Sequence, residues 1–444
     1  MIYFSKKIVI WAVIIAVAVV FAFLYKPGFV RDLLNYNLPR PTSLPTDSSL
    51  DFLTLPDGFA IRKFADGLDG PRVITFDSKD RMLVSETKAG RVIKLEDTDG
   101  DGSAETKTVL LKGLRSPHGL AFYEDPKTKK VYLYVAETHQ VVRYVYNVKD
   151  GDIDEAQKTA PQNIANLPAD GRHFTRTIAF GPNFRKEQIV AGQSEVNTQV
   201  PTKLYISVGS SCDVCVETET WKRAAILESD PDGKYTAEFA GGLRNSVFFT
   251  FHPETKEIWA TDMGRDNLGD NLPPDEVNII KVAEKGNKFG ALRYGWPFCY
   301  GDKIRDKTFN PSKVDRIDIP TDCNQTESAA IELPAHSAPL GLAFITKDGG
   351  WPTEWRNDLL VAYHGSWNRS EPTGYKIVKF KVNEKGQSSG VEDFISGWLA
   401  TNNQQPTTNN QIYGRPVDLK FGPGGNTLYI SDDSAGVIYR VEPK

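Results

Sequence analysis

The chain has 444 residues, 40% apolar and 11% aromatic, with a formal net charge of −4. That is ample material for a large core, and a slightly acidic balance without any basic stripe excludes the electrostatic footprint of a nucleic-acid binder. Partners are therefore to be sought among small molecules and proteins.

Residues 1–27 differ from the rest. Lys6-Lys7 precede Ile8 to Tyr25, an uncharged apolar run closed by Lys26-Pro27. As a helix the run would span about 27 Å, enough for a bilayer's hydrocarbon core. It is longer than the usual apolar stretch of a secretory signal, and no small-x-small cleavage site follows. A retained single-span anchor is expected, with cleavage and secretion as the alternative. The lysine pair would keep the N-terminus in the cytoplasm and send the remainder to the periplasmic or extracellular side. Residues 28–50, carrying Pro39, Pro41 and Pro45, read as a linker, leaving 51–444 as the folded domain.

The domain opens with a strand at Leu55 to Phe64, and a short phrase then recurs six times. An apolar strand ends in Phe, a turn follows, and a second strand is followed by Ser, Glu or Asp. The first strands end at Phe76, Phe122, Phe180, Phe251, Phe344 and Phe421. Intervals of roughly 45 to 95 residues mean that insertions vary while the unit persists. Such repetition predicts an all-β, six-bladed β-propeller rather than a sandwich, with the Leu55–Phe64 strand completing the last blade. Each phrase's lead-in then opens onto the central channel, where His118, Arg176, Arg244 and Arg415 converge.

Smaller signals accompany the repeat. Asp97-Thr-Asp-Gly-Asp-Gly102 matches half of an EF-hand loop but has Thr108 where the bidentate Glu belongs, and reads as a turn on a blade, with a structural Ca²⁺ as the alternative. Of the four cysteines, Cys212 and Cys215 form Cys-Asp-Val-Cys, whereas Cys299 and Cys323 lack metal-site spacing. Two local disulfides are expected rather than zinc, as suits an exported protein.

Six histidines are present. His139 and His252 sit in turn-like settings and read as surface residues; His118, His173, His336 and His364 lie at channel-facing ends. His173, in Asp170-Gly-Arg-His-Phe-Thr-Arg176, has arginine neighbours that disfavour imidazolium and suit it to a general base. A second cluster runs from Gly241-Gly-Leu-Arg-Asn245 through Asp262-Met-Gly-Arg-Asp266 to Asp275-Glu-Val-Asn278 and Tyr294-Gly-Trp-Pro297. The carbonyls near Gly264 and the carboxylates of Asp262, Asp266 and Asp275 offer hard oxygens for Ca²⁺. Arg244 and Asn245 offer donors for a carboxylate.

These phrases in this order, with Gly209-Ser-Ser-Cys-Asp-Val-Cys215, His364-Gly-Ser-Trp-Asn-Arg369 and Gly414-Arg415-Pro416, resemble the pyrroloquinoline-quinone (PQQ)-dependent sugar dehydrogenases. Within these the chain looks most similar to the L-sorbosone dehydrogenase-like branch, over roughly residues 52 to 442. The resemblance implies PQQ and Ca²⁺ as cofactors and a carbohydrate substrate. His173 would be the catalytic base, Gly264 and Arg265 would hold Ca²⁺ through backbone carbonyls, and Arg244, Asn245 and Arg415 would bind the cofactor. Arg176, another arginine lead-in, is expected to face the same anion. The glucose-oxidising members carry a lysine where this chain has the His364–Arg369 phrase, so Arg369 or His364 would replace it. An insertion from Asn267 to Pro274 leaves substrate preference open. No heme-attachment motif is present, so electrons would pass to an external cytochrome or membrane quinone. The rival readings are a metal-dependent lactonase propeller and a non-catalytic propeller that binds a glycan or protein.

Overall fold

The computed structural model describes residues 50–185, 201–284, 287–346, 349–383, 386–402, 405–406 and 411–444. The anchor or signal expected at 1–27 and the linker at 28–50 lie outside these residues, Leu50 excepted. Among the described residues no helix is long and apolar enough to cross a membrane.

The described strands assemble into six sheets of four or five strands, together with two separate two-stranded ribbons. The innermost two strands of each sheet are the two halves of the sequence phrase. They are Pro71–Phe76 with Met82–Glu86, Leu120–Glu124 with Val131–Glu137, and Ile178–Pro182 with Thr202–Val208. Next come Phe249–Phe251 with Ile258–Asp262, Pro339–Phe344 with Leu359–Tyr363, and Pro416–Phe421 with Leu428–Asp432. This is a six-bladed propeller. The ring closes as expected: Phe59–Ala65 pairs antiparallel with the last strand, Val437–Pro443, and completes the sixth blade.

The polar residues that end each phrase join the blades. The Ser431 hydroxyl at the end of the sixth blade donates to the Arg72 carbonyl in the first, and the Thr261 hydroxyl of the fourth donates to the Leu340 carbonyl in the fifth. The first strands of the first and sixth blades slip register near their start, which leaves a backbone N–H outside the ladder. Ser85 Oγ and Ser431 Oγ accept those N–H groups, from Val73 and Asp418, at 3.0 Å each. The closing acid works at the channel end: Glu137 accepts the N–H of Arg115, Asp262 those of Arg244 and Asn245, and Asp432 that of Arg415. A buried N–H without a partner would cost about 1–3 kcal/mol, so these acids fix the lead-ins.

Between blades the strands are buried on both faces. Met82–Glu86, Ile258–Asp262 and Leu359–Tyr363 are buried at every position, and each aliphatic side chain so buried contributes about 1.5–3 kcal/mol. Phe122, Phe180, Phe251, Phe344 and Phe421 line a cavity of about 470 Å³ at the far end of the inner strands. The phrase-ending Phe therefore belongs to the end of the channel opposite the lead-ins.

Both expected disulfides are present, Cys212–Cys215 and Cys299–Cys323. The second lies in the long excursion between the third and fourth strands of the fourth blade. Leu292–Arg293 in that excursion pairs with the outer strand of the third blade, and Arg293 grips buried Glu238 through two bonds of 2.7 and 2.9 Å. At Asp97–Gly102 the Asp97 carboxylate accepts the N–H groups of Gly100 and Gly102, the turn expected from sequence. One expectation fails: His252 is 4% exposed rather than on the surface, because its Nδ1 accepts the N–H groups of Glu254 and Thr255 and its ring packs edge-on against Phe344.

Candidate functional site

At the lead-in end a cavity of about 230 Å³ is lined by residues of the third, fourth and fifth blades, among them His173, Arg244, Asn245, Gly264, His336 and Asn368. It falls just under the ~300 Å³ at which small-molecule sites usually begin. Asp262 holds the backbone of its central pair, Oδ2 accepting from Arg244 N at 3.0 Å and Oδ1 from Asn245 N at 2.6 Å. The next turn is held alike, with Gly264 N donating to Asp275 Oδ1 at 2.9 Å. Gly264 has to be glycine, because a Cβ there would lie 2.7 Å from Pro273 Cγ and 2.9 Å from the Pro274 carbonyl.

The Arg244 side chain is buried and nearly saturated. Its Nε donates to the Asp213 carbonyl at 3.0 Å and Nη1 to the Met263 carbonyl at 3.1 Å, while Nη2 donates to Asp213 Oδ1 at 2.7 Å and Asp266 Oδ2 at 3.3 Å. A guanidinium has five N–H donors, so one, on Nη1, remains. The two-pronged carboxylate grip anticipated from sequence is already committed to the protein's own acids, and Arg244 can offer an incoming oxygen a single donor. Burial alone would raise the Asp213 carboxyl; Arg244, the Asp266 N–H and Arg172 outweigh it and hold it low. Asp266 is raised, by burial and by the charge of Asp213.

His173 stands beside this arginine. Its Nδ1 lies 2.9 Å from the Ser210 carbonyl, which only accepts, so Nδ1 carries the proton and Nε2 is left with its lone pair. Ser210 N in turn donates to the Arg244 carbonyl at 2.8 Å, tying base and arginine through one residue. Burial first, then Arg244 and Arg172, depress the imidazole to about 3. His173 is therefore neutral across the physiological range, for the reason read from sequence plus a larger contribution from burial.

The opposite wall comes from the fifth blade. His336 Nε2 donates to the Gly269 carbonyl at 2.8 Å, and Asn368 Nδ2 donates to Asp266 Oδ1 at 2.9 Å with His336 Nδ1 at 3.3 Å. Asn368 Oδ1 is buried without a hydrogen-bond partner, an acceptor that only a donor entering the cavity would satisfy.

Three arginines assigned to the cofactor from sequence do not line this cavity. Arg176 is fully buried and donates to the carbonyls of His173, Thr175 and Pro168. Burial without a carboxylate lowers its pKa to about 9, and it braces the His173 loop from behind. Arg369 turns away to the carbonyls of Asp270 and Ala335, clamping the Asn267–Pro274 insertion. Arg415 lies over the Tyr375 ring, donating to its hydroxyl at 3.0 Å, in a separate polar group with His364, Asp433 and Arg72. Arg265 points its guanidinium at Asp306 and Thr308, at 2.8 and 3.0 Å, which leaves only its backbone for a metal. The carboxylates of Asp262, Asp266 and Asp275 are likewise scaffold acceptors. Among the described residues they do not converge as a ligand group, and nothing in the cavity matches the Glu, Asn and Asp set of a lactonase metal centre.

Sequence reasoning missed Arg172, Asp213, Trp367 and Asn368. Each sits inside a phrase already singled out, but none carries a pattern of its own.

A neutral histidine, a pinned arginine and a glycine-tight turn thus meet at one cavity at the mouth of a six-bladed propeller's channel. Residues 53–444 match the TrAA12-like family, and the chain belongs to it. It is 30% identical to an uncharacterized protein of Borreliella burgdorferi over 394 residues, 88% of this chain and 90% of that one. It is 26% identical to a pyrroloquinoline quinone-dependent pyranose dehydrogenase of Coprinopsis cinerea over 420 residues, covering 88% of this chain but 54% of the relative. The chain thus spans about half the length of that relative. Among solved structures, the holo PQQ domain of the Coprinopsis cinerea pyranose dehydrogenase superposes with a TM-score of 0.67 at 22% identity, covering 92% of this chain and 99% of that one. The PQQ-bound aldose sugar dehydrogenase of Streptomyces coelicolor gives 0.56 at 18%, covering 88% and 99%.

Proposed function

We propose that this protein is a PQQ-dependent dehydrogenase that oxidises a sugar, sugar aldehyde or polyol, with His173 as the base. The observation that carries the reading is the pairing of His173 Nε2, a neutral acceptor, with the single uncommitted N–H of Arg244 at one cavity. Family membership and PQQ-dependent relatives support the cofactor. When bound, PQQ supplies the two-electron sink that accepts hydride from the substrate's C–H bond.

The chain's own residues do the rest. His173 Nε2 takes the hydroxyl proton, so that a C=O forms as O–H and C–H break. Arg244 donates to an oxygen that gains negative charge, in a site where the donor is already oriented. The backbone carbonyls of Gly264 and Arg265 are the hard oxygens for Ca²⁺. Asn245, in the cavity wall, is a donor for one of the cofactor's acid groups. The two disulfides and the apolar run at 8–25 support an exported, membrane-tethered enzyme that passes electrons to a cytochrome or membrane quinone.

The test is dye reduction by the purified full chain given PQQ, Ca²⁺ and a panel of aldoses, sugar aldehydes and polyols. Turnover that needs both PQQ and a sugar is expected. PQQ binding without turnover on any member would remove the sugar substrate, and no binding would remove the whole reading.

A further inference from the structure

The segment Gly209–Glu217 touches both halves of the site, and its centre is Asp213. The Asp213 carbonyl accepts from Arg244 Nε and, at 3.2 Å, from Trp296 Nε1. Its Oδ1 accepts from Arg244 Nη2 and, at 2.9 Å, from Asp266 N, and Arg172 and Arg265 stand 3.6 and 3.9 Å from the carboxylate. Asp213 lies inside the small ring closed by Cys212–Cys215. That ring is tied down at its start, where Ser210 Oγ donates to the Cys212 carbonyl at 2.6 Å and Ser211 donates through N and Oγ to Glu217. Ser210 is also the residue that holds His173 Nδ1.

We infer that Asp213, carried in this disulfide ring, is a positioning residue that aims the last free N–H of Arg244 into the cavity. The inference deepens the proposed function and rests on it for its ligand. An arginine side chain carries about 2 kcal/mol of rotamer freedom. Asp213 removes that freedom from two directions, its backbone fixing Nε and its carboxylate fixing Nη2. Without that carboxylate Nε stays on the residue-213 carbonyl, but Nη2 keeps only Asp266 Oδ2, and the guanidinium can turn about its Nε anchor toward the Asp266 carboxylate, withdrawing the Nη1 donor from the cavity.

Three variants test this, with PQQ affinity and the absorption band of bound PQQ as readouts. Asp213→Ala is expected to weaken PQQ binding by about tenfold or more, since misplacement by ~1 Å is costly at such sites, and to move the band toward that of free PQQ. Asp213→Asn, whose amide oxygen can stand where Oδ1 stands, should recover part of the loss. The double variant Cys212→Ser/Cys215→Ser should weaken binding in the same direction by releasing the Asp213 backbone. Affinity within about twofold of the parent and an unmoved band in Asp213→Ala would overturn the inference. If the parent itself binds no PQQ, the proposed function fails, and a crystal structure of unliganded Asp213→Ala, or of Asp213→Asn should the first not fold, decides the positioning role. A guanidinium displaced by ~1 Å or more upholds it, and one that superposes on the parent's ends it.

Discussion

Lowering the pH from 8 to 5 during turnover would protonate an ordinary imidazole in the position of His173, whereas this one stays neutral. The base works only when neutral, so the sign is fixed: any influence that lowers its proton affinity preserves activity as the pH falls. An ordinary histidine with a pKa near 6.5 would be only about 3% neutral at pH 5, and kcat/KM would drop about 30-fold. Burial and the adjacent Arg244 and Arg172 bring His173 to about 3, despite the opposing Ser210 carbonyl and Asp213 carboxylate. The neutral fraction at pH 5 is then about 99%, and His173 contributes no acid limb above about pH 4. Steady-state dye reduction across the range, with PQQ and Ca²⁺ saturating at each pH, measures this directly. Replacing Arg172 by Gln removes one of the charges and should move the limb upward. An acid limb near pH 6.5 that persists in Asp275→Asn protein, where the neighbouring carboxyl at about 6 has been removed, would refute the reasoning.

His173→Ala is expected to cost about 10²- to 10⁴-fold in kcat while PQQ affinity stays close to the parent's; single-turnover reduction of bound PQQ by sugar separates the two. Gly264→Ala forces a Cβ against Pro273 and Pro274, so it should cost about 1–3 kcal/mol of stability and shift the Ca²⁺ dependence of PQQ binding, read by thermal melts and calcium titration. Arg369→Ala releases the carbonyls of Asp270 and Ala335, and should raise KM for the sugar while leaving PQQ affinity nearly unchanged. A loss of PQQ affinity there would return Arg369 to the cofactor-binding role expected from sequence.

The fold was legible because each blade repeats its own hydrogen-bonding needs. The strand-ending Ser, Thr, Glu and Asp of the phrase satisfy backbone groups of a neighbouring blade or of the same blade's lead-in, so the pattern in sequence and the pattern in space are one. His173, Arg244 and Asn245 reach the cavity wall for a related reason: they sit at or beside lead-ins, and lead-ins face the channel mouth. The arginines were harder. Arg176, Arg244 and Arg415 occupy equivalent places in the repeat, yet only Arg244 lines the cavity. The difference is the acid that meets each one: Asp213 and Asp266 hold Arg244 at the cavity, whereas Arg176 meets only carbonyls and Arg415 meets Tyr375 and the His364–Asp433 pair. Those partners come from distant parts of the chain, and no local spacing announces them. Arg369 is held by an insertion that lies 99 positions away, so its place in the phrase does not announce where it points.

The most direct test of the central claim is calorimetric titration of the full chain with PQQ in the presence of Ca²⁺, repeated with excess chelator. The account predicts saturable one-to-one binding that weakens sharply when Ca²⁺ is removed and weakens again in Arg244→Ala. Absence of saturable binding, or binding indifferent to both Ca²⁺ and Arg244, would contradict it.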